Sequence, residues 1–547
     1  MNKRVLLGMT LMASLAFYSC TKEIVIVQEG GEGGIETPTA QDGQVLTLQV
    51  ANSGDGLTTR AGRPLLSSQA KQDINHIDLF VVNSSNKVVL KKTVKPSEWA
   101  NALDYTTGGH GKQLQISFKG SEGQKLTGSS EGTAYTIYAV AYKENSNYAT
   151  TFGVDGAPTA TSANPTVTFT ETSFATTLTA NGTPADEIFA GKVEVKVVGA
   201  DSDSYITTST GSAKKDKPTL VLNRQVAGVT GYFTNLPAKV GEQIPTKIRL
   251  VASNKSNKVH FTSMVSVETD GTTTAAATNV VNGSASSLTA DKPYWNSSKK
   301  GYIVYEIALS EFFPQMKSSS EGGQNKKFND LDLDGDGFVG YKDAQHYVYG
   351  KVPSSTSDWD TAYKGNVGSG NVESGYNGGK TKPLSEFWKN PNEKTQTLVA
   401  GSVFAGEFII PFLQVIGTNT FELQLVSEEQ VSGQTVVHIL KTWNVQIPET
   451  DKVNTGGSLA AGITGGPWSA DASTLIYNIY RNHLYSLGLK TNDIEDGGEP
   501  GTDPVDPKPE PDPDTDPEDQ PEDLSKGQDL LLNVNDNWEI IHNMVID

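Results

Sequence analysis

The sequence predicts an all-β protein built as two tandem β-sandwich domains. Short runs of alternating apolar residues recur along the chain, and Gly, Ser, Asn and Asp separate them. No long run with helical periodicity follows residue 20, and the 54 glycines among 547 residues supply many turns. By length the chain holds two to four domains. We place the first sandwich at 61–258 and the second at 259–495.

The N-terminus is predicted to be a lipoprotein signal over residues 1–20. Lys3 and Arg4 precede an apolar stretch at 5–18 that is too short to span a bilayer. Cys20, the only cysteine, follows a small residue, as at bacterial sites where the thiol is acylated by a palmitate-type lipid. An ordinary signal peptide with an incidental cysteine is the alternative. The lipoprotein is favoured because an unpaired cysteine in an exported chain otherwise lacks an explanation.

Residues 21–60 are predicted to be a propeptide that carries a strand of its own. A Gly- and Glu-rich linker leads to a strand at 45–50, where Leu46, Leu48 and Val50 share one face.

Further strands follow in both predicted sandwiches. In the first they are expected at 77–82, 87–90, 115–118, 135–141, 192–198 and 220–222, and in the second at 302–305, 408–410, 421–425, 436–440 and 475–487.

The chain ends with a Pro- and Asp-rich linker at 496–523 and an apolar segment at 524–547. The linker cannot bury enough apolar surface to fold, and its prolines hold it extended. Apolar residues of one parity then alternate with polar ones: Leu530, Leu532, Val534, Trp538, Ile540, Met544 and Ile546. The segment is either delivered to a neighbouring molecule or packs as a last strand on its own domain, and an Asn-Asp-Asn turn at 535–537 would divide it.

The charge of the chain excludes some classes of partner. Lys and Arg number 44 and Asp and Glu 63, for a net charge of −19. Such a balance argues against nucleic acid and against anionic membrane surfaces as partners.

One segment, 332–343, matches a calcium-binding loop of the EF-hand type. Its carboxylates at Asp332, Asp334, Asp336 and Asp343 and a carbonyl at Phe338 have the ligand spacing, and a glycine at the sixth position allows the sharp turn. We expect this loop to be an insertion in the second sandwich and to hold a structural calcium ion. An acidic surface turn without metal is the alternative.

No catalytic constellation is found in the sequence. The seven histidines are scattered without zinc-like spacing, and neither a P-loop nor a dinucleotide fingerprint occurs. We therefore expect that the chain is not an enzyme.

These features together resemble the fimbrillins, the pilus subunits of Bacteroidales-type bacteria. The resemblance rests on the order of Cys20, the strand 45–50, the segment Thr-Arg-Ala-Gly at 59–62, the late strand YNIYRNHLYSL at 477–487, and the Asp/Pro tether with its ending. The calcium-type loop does not belong to that pattern.

The resemblance implies transthyretin-like sandwiches and a shaft subunit of an adhesive cell-surface fimbrium. The precursor would be an outer-membrane lipoprotein, cleaved between Arg60 and Ala61. Loss of Leu46, Leu48 and Val50 would open a groove, which Trp538, Ile540, Met544 and Ile546 of a neighbour would fill.

The partners so implied are other copies of the chain, tip and anchor subunits, and host or bacterial surface ligands. Two alternatives remain open at this point. One is a monomeric, lipid-anchored, calcium-dependent surface protein, for example one that binds glycans. The other is a secreted enzyme with sandwich accessory domains.

Overall fold

The computed structural model is almost entirely β-structure. It describes residues 44–50, 74–104, 112–118, 124–179, 184–200, 203–211, 216–252, 256–261, 283–285, 292–296, 299–318, 320, 324–344, 388–391, 393–410, 421–446, 484–488, 521–526, 530–531 and 533–535. Among these residues, no helix is long and apolar enough to cross a membrane.

Among the described residues, the first half of the chain contributes fourteen strands. In chain order they are β1 (Val45–Val50), β2 (His76–Asn83), β3 (Val88–Val94), β4 (Leu103–Asp104), β5 (Lys112–Ser117), β6 (Thr133–Tyr142), β7 (Ala175–Thr177), β8 (Ile188–Val198), β9 (Tyr205–Thr208), β10 (Thr219–Arg224), β11 (Ala227–Thr234), β12 (Leu236–Pro237), β13 (Lys247–Ala252) and β14 (Ser256–His260).

The second half contributes thirteen more. They are β15 (Gly283–Ala285), β16 (Lys292–Asn296), β17 (Lys299–Ala308), β18 (Phe338–Val339), β19 (Lys389–Asn390), β20 (Glu393–Thr397), β21 (Val403–Ile409), β22 (Phe421–Val431), β23 (Gln434–Gln446), β24 (Leu484–Leu487), β25 (Glu522–Asp523), β26 (Leu530–Leu531) and β27 (Asn533–Asn535).

The described helices are short and lie in the connections. Helix α1 spans Pro96–Ala100 and α2 spans Leu309–Phe312, and three 3₁₀ turns span Glu171–Ser173, Pro314–Met316 and Phe328–Leu331.

A nine-stranded sheet dominates the first half. Its order is β3-β2-β6-β8-β10-β1-β5-β4, with β9 paired to β8. The sheet encloses a first core to which β1, β2, β6, β8 and β10 all contribute side chains.

Strands β2 and β6 are buried on both faces, which explains why each reads as a nearly continuous apolar run. Leu79 and Val81 point into the first core, whereas Phe80 and Val82 point into a separate core on the other side. Eight buried aromatic rings fill much of that separate core: Phe80, Tyr138, Tyr142, Tyr148, Phe152, Phe169, Phe174 and Phe261.

The second half packs around a third core between two further sheets. One sheet has the order β16-β17-β13-β22-β23-β26, and the other has β21-β11-β24-β27, with β25 paired to β11. Their inner faces supply most of this core. The smaller sheets are β15-β14-β7, β12-β18 and β19-β20.

The predicted all-β class and most of the predicted strands are confirmed. One feature differs from the predicted layout: β11 and β13 lie before residue 258 but pair with β21 and β22 of the second half. The chain changes sheets between Arg224 and Ala227, where only two residues separate β10 from β11. Such a change depends on long-range pairing, which turn signals do not encode. The division into two domains stays a prediction.

Candidate functional site

Strand β1, the predicted removable strand, lies inside the nine-stranded sheet rather than at its edge. It pairs antiparallel with β5, from Val45 opposite Ser117 to Gln49 opposite Gln113. On its other side it runs parallel to β10, from Thr47 beside Thr219 onward. The strand therefore has backbone hydrogen-bonding partners on both sides, although it is the first of the described strands.

The three apolar side chains predicted on one face of β1 all reach the first core. Leu46, Leu48 and Val50 each have 0% of their surface exposed. They belong to one apolar cluster with residues of β2, β6, β8 and β10. Each such side chain stabilises the fold by about 1.5–3 kcal/mol relative to exposure. Removing the strand would thus open a slot that is apolar along its floor.

Gln44, just before β1, is held by three side-chain hydrogen bonds. Its Nε2 donates to the Leu126 carbonyl oxygen and to Ser204 Oγ, each at 2.9 Å, while its Oε1 accepts from the Leu126 N–H at 2.9 Å. All three residues are buried. The main-chain oxygen of Gln44 also accepts from the Phe118 N–H at 2.9 Å. We call the group formed by the Leu126 backbone and Ser204 the carboxamide pocket.

Several predicted site residues lie outside the described residues. They are Cys20, Arg60, Ala61, Trp538, Ile540, Met544 and Ile546. Their predicted roles in lipidation, processing and polymerisation stay predictions.

The first part of the C-terminal segment lies on the chain's own second half. Strand β25 runs parallel to the end of β11, and the Leu524 N–H donates to the Thr234 carbonyl at 3.1 Å. Leu524 and Leu530 are both fully buried in the third core. Two short strands follow, of which β26 pairs with β23 and β27 pairs with β24. The predicted turn at 535–537 lies mostly outside the described residues and stays a prediction.

Asn235 links this C-terminal segment to the acidic loop. Its Nδ2 donates to Asp523 Oδ1 at 3.0 Å, and its backbone has a left-handed φ of 50°. Gly340 of the acidic loop lies against the same side chain, because a Cβ there would be 1.9 Å from Asn235 Oδ1. Burial alone would raise the pKa of Asp523, but hydrogen bonds from Ser525 and Asn235 lower it below its ordinary value.

The acidic loop has a tightly hydrogen-bonded backbone. Asp332 accepts from the N–H groups of Gly335 at 2.9 Å and Gly337 at 3.0 Å. Both glycines have positive φ, at 77° and 92°, which side chains with a Cβ disfavour. Phe338 then begins β18, which pairs with β12 and fixes the loop to the body.

Three of the predicted calcium ligands converge in this loop. Carboxylate oxygens of Asp332, Asp334 and Asp343 lie within 4.8 Å of one another. Asp336 does not belong to this group, and its carboxylate accepts from the Phe338 N–H at 2.9 Å. Asp343 is buried, and burial raises its pKa to about 6, with the charge of Asp334 adding to the effect. Close carboxylates of this kind fit a hard cation, which prefers oxygen ligands.

Comparisons with known proteins find similar structures only. No protein-family model matches the chain, and no curated protein matches it. A fimbrial assembly protein from Parabacteroides distasonis is 13% identical, with a TM-score of 0.24, over 48% of this chain and 72% of that protein. A protein described as a cell adhesion protein, from Bacteroides eggerthii, is 12% identical, with a TM-score of 0.30, over 91% and 97%.

A third similar structure is the fimbrial anchor protein Mfa2 from Porphyromonas gingivalis. It is 11% identical, with a TM-score of 0.20, and the match covers 41% of this chain and 65% of that protein. Two of these three structures are described as fimbrial proteins, the kind of protein that the sequence motifs resemble. At such low identities and TM-scores, the likeness carries no argument about activity, partner or assembly.

Two functional candidates among the described residues were missed by sequence reasoning. Gln44, just before β1, lies on the same face as Leu46 and Leu48. A polar side chain on this apolar face could have indicated a buried hydrogen-bonded site. The contact between Asn235 and Asp523 joins residues 288 positions apart and left no signal in the sequence.

Proposed function

We propose that the chain is a structural shaft subunit of an adhesive cell-surface fimbrium. The observation that carries this proposal is the place of β1. The first of the described strands, which residues 51–73 join to the rest of the chain, is inserted between β5 and β10 in the middle of a sheet. This is the arrangement that a replaceable strand requires.

Polymerisation would follow from removal of that strand. Cleavage between Arg60 and Ala61 would release residues 21–60, with the backbone edges of β5 and β10 left unpaired. Unpaired edges bind an added strand through ladder hydrogen bonds, and alternate side chains in the slot give specificity. A head-to-tail contact that does not close produces a filament.

The donor strand would be residues 536–547 of the next copy. Residues 521–526, 530–531 and 533–535 already lie on the chain's own second half, so the linker at 496–523 does not set how far the donor can reach. The remaining residues include Trp538, Ile540, Met544 and Ile546, which would replace the apolar row of β1. The donor thus starts from a fixed point on the body.

The wider setting of this proposal comes from the N-terminal signal. Lipid on Cys20 would hold the precursor at the outer membrane until cleavage releases it to the surface. Its partners would be other copies, tip and anchor subunits, and surface ligands of host or bacterial cells. The chain would act without catalysis.

We also propose a structural calcium ion at Asp332, Asp334 and Asp343, with Asp336 and the Phe338 carbonyl completing the set. Support comes from the three converging carboxylates and the buried position of Asp343. Asp334→Asn should weaken calcium binding about tenfold or more, because one ligand charge is lost. Asp330→Asn, outside the loop, should leave binding unchanged. Isothermal titration that detects no calcium binding to the unaltered protein would contradict the site.

The polymerisation proposal is tested on an unlipidated precursor that begins at Cys20. Trypsin-like cleavage should produce heat-resistant ladders on a denaturing gel. Arg60→Ala should abolish them, whereas Arg63→Ala should not, since Pro64 after Arg63 resists such proteases. Deletion of 536–547 should also abolish the ladders without removing the buried Leu524 and Leu530 from the core. A monomer after complete cleavage would refute the proposal.

A second function is favoured by one observation. Because Leu524 and Leu530 pack in the chain's own core, the end of the chain also fits a monomeric, lipid-anchored surface protein that binds its ligand in the presence of calcium. In that case Arg60 would stay uncut on cells. The N-terminal sequence of surface-extracted protein distinguishes the two functions, since it would begin at Cys20 rather than at Ala61.

A further inference from the structure

We propose that the carboxamide pocket selects the register, direction and identity of the strand that occupies the slot between β5 and β10. This inference rests on the proposed function, in which that slot exchanges one strand for another. The pocket would make Gln44 the specificity-determining residue of the exchange. The preferred occupant is a strand with a glutamine two residues before its first apolar anchor.

The apolar floor of the slot cannot by itself define the register. Leu46, Leu48 and Val50 repeat every second residue, so a slip by one residue would turn them out of the core. A slip by two residues, however, would again place apolar side chains on the floor. The alternating pattern is therefore ambiguous by two residues, about 6.6 Å along a strand.

Gln44 removes this ambiguity because it is a polar residue in phase with the apolar row. After a slip by two residues, either a leucine would face the Leu126 backbone and Ser204, or the carboxamide would enter the apolar core. Both arrangements bury polar groups without partners, which is costly. The pocket also lies at one end of the slot, next to Phe118 at the end of β5, so it distinguishes the two strand directions.

The chemistry of the pocket requires a carboxamide. One occupant must accept from the Leu126 N–H and also donate to both the Leu126 carbonyl and Ser204 Oγ. A carboxylate can accept but has no proton to donate, and an apolar side chain can do neither. Asparagine is one methylene shorter than the glutamine that spans these distances.

The chain's own C-terminal residues do not match this requirement. Between 536 and 547 the two carboxamides, Asn537 and Asn543, have the opposite parity to Trp538 and Ile540. In the frame that puts the apolar residues on the floor, Asp536 or His542 would face the pocket. The pocket would therefore favour the chain's own strand over the tail of another copy, and exchange would begin only once that strand is cut free.

The test measures how fast the strand leaves the slot. A precursor that begins at Cys20 carries a fluorophore on this only cysteine. Residues 57–62 are replaced by the site of a sequence-specific protease, and fluorescence anisotropy follows release after cutting. Gln44→Leu and Gln44→Glu should speed release at least about tenfold relative to Gln49→Leu and Gln49→Glu, the same changes on the opposite face of β1.

A variant of unchanged composition tests the register. The double change Gln44→Leu with Leu46→Gln keeps every residue type but moves the carboxamide by two positions, and it should also speed release at least about tenfold. Equal rates for the Gln44 and Gln49 variants would overturn the inference while leaving the proposed function intact.

If the cut strand never leaves the slot, even in mild urea, the proposed strand exchange is refuted. Amide hydrogen exchange then tests the carboxamide pocket independently of the proposed function. The Leu126 amide donates to Gln44 Oε1, so Gln44→Leu should accelerate its exchange at least about tenfold in the uncut chain, whereas Gln49→Leu should not. Unchanged protection of Leu126 in Gln44→Leu would refute the pocket.

Discussion

Leu48→Ala should destabilise the uncleaved chain but should not affect the protein from which the proposed cleavage has removed β1. Leu48 is completely buried in the first core and lies beside Leu220 of β10, which is also completely buried. Shortening a buried leucine to alanine costs about 2–5 kcal/mol, from lost burial and the cavity that remains. At an m-value of about 2 kcal/mol per molar urea, the midpoint of precursor unfolding should fall by about 1–2.5 M.

The matched control for this prediction is Leu220→Ala. It removes the same atoms from the same core, but from a strand that stays in the chain after cleavage. Leu220→Ala should therefore lower the urea midpoint of both the precursor and the cleaved, polymerised protein. Leu48→Ala should lower only the first, because residue 48 leaves with the propeptide.

Two results would refute this reasoning. If Leu48→Ala lowered the urea midpoint equally in the precursor and in the cleaved protein, β1 would have been retained after cleavage. A loss below about 0.5 kcal/mol in the precursor would mean that β1 does not complete the core. Tryptophan fluorescence or circular dichroism in urea suffices for both measurements.

Three further predictions concern the C-terminal segment and the acidic loop. Asn235→Gly should lower the free energy of unfolding by about 0.5–1.5 kcal/mol, because the hydrogen bond to Asp523 is lost, and Asn235→Ala should lower it by about 1 kcal/mol more because of the positive φ. Hydrogen exchange at the Leu524 amide should be faster in both variants, and an unchanged rate would exclude the link between Asn235 and Asp523. Because the pKa of Asp523 is lowered in the folded protein, its stabilising effect should be complete above about pH 4 and should be lost as the pH falls further. The rate of proteolysis at 521–526 should therefore rise below that pH, and Asp523→Asn should make this rise smaller. Calcium at 100 times its dissociation constant should raise the stability by about 2.7 kcal/mol, a gain that Asp332→Asn should remove; a melting temperature indifferent to calcium in the unaltered protein would oppose the site.

Local patterns in the sequence were enough to locate most strands of the fold. The apolar runs at 77–82 and 135–141 became β2 and β6, since an alternating or continuous apolar run needs a sheet to bury it. These runs did not show whether one face or both faces of each strand would be buried. The second face of β2 is buried by aromatic residues such as Phe152 and Phe174, more than 60 positions away.

The acidic loop was predictable for the same reason. Its carboxylates fall within twelve consecutive residues, so spacing alone brings Asp332, Asp334 and Asp343 together once the two glycines turn the backbone. The separation of Asp336 from this group was not predictable from spacing, because its carboxylate accepts a hydrogen bond from the Phe338 N–H instead.

The amino-acid sequence alone determined the β class, the apolar face of β1 and the acidic loop, because each depends on residues close together in the chain. Only the tertiary structure decided that β1 lies between β5 and β10, that Gln44 meets Leu126 and Ser204, and that Asp523 meets Asn235. Those contacts depend on which distant strands pair, and strand pairing is selected by the total burial of all the sheets together rather than by any one segment.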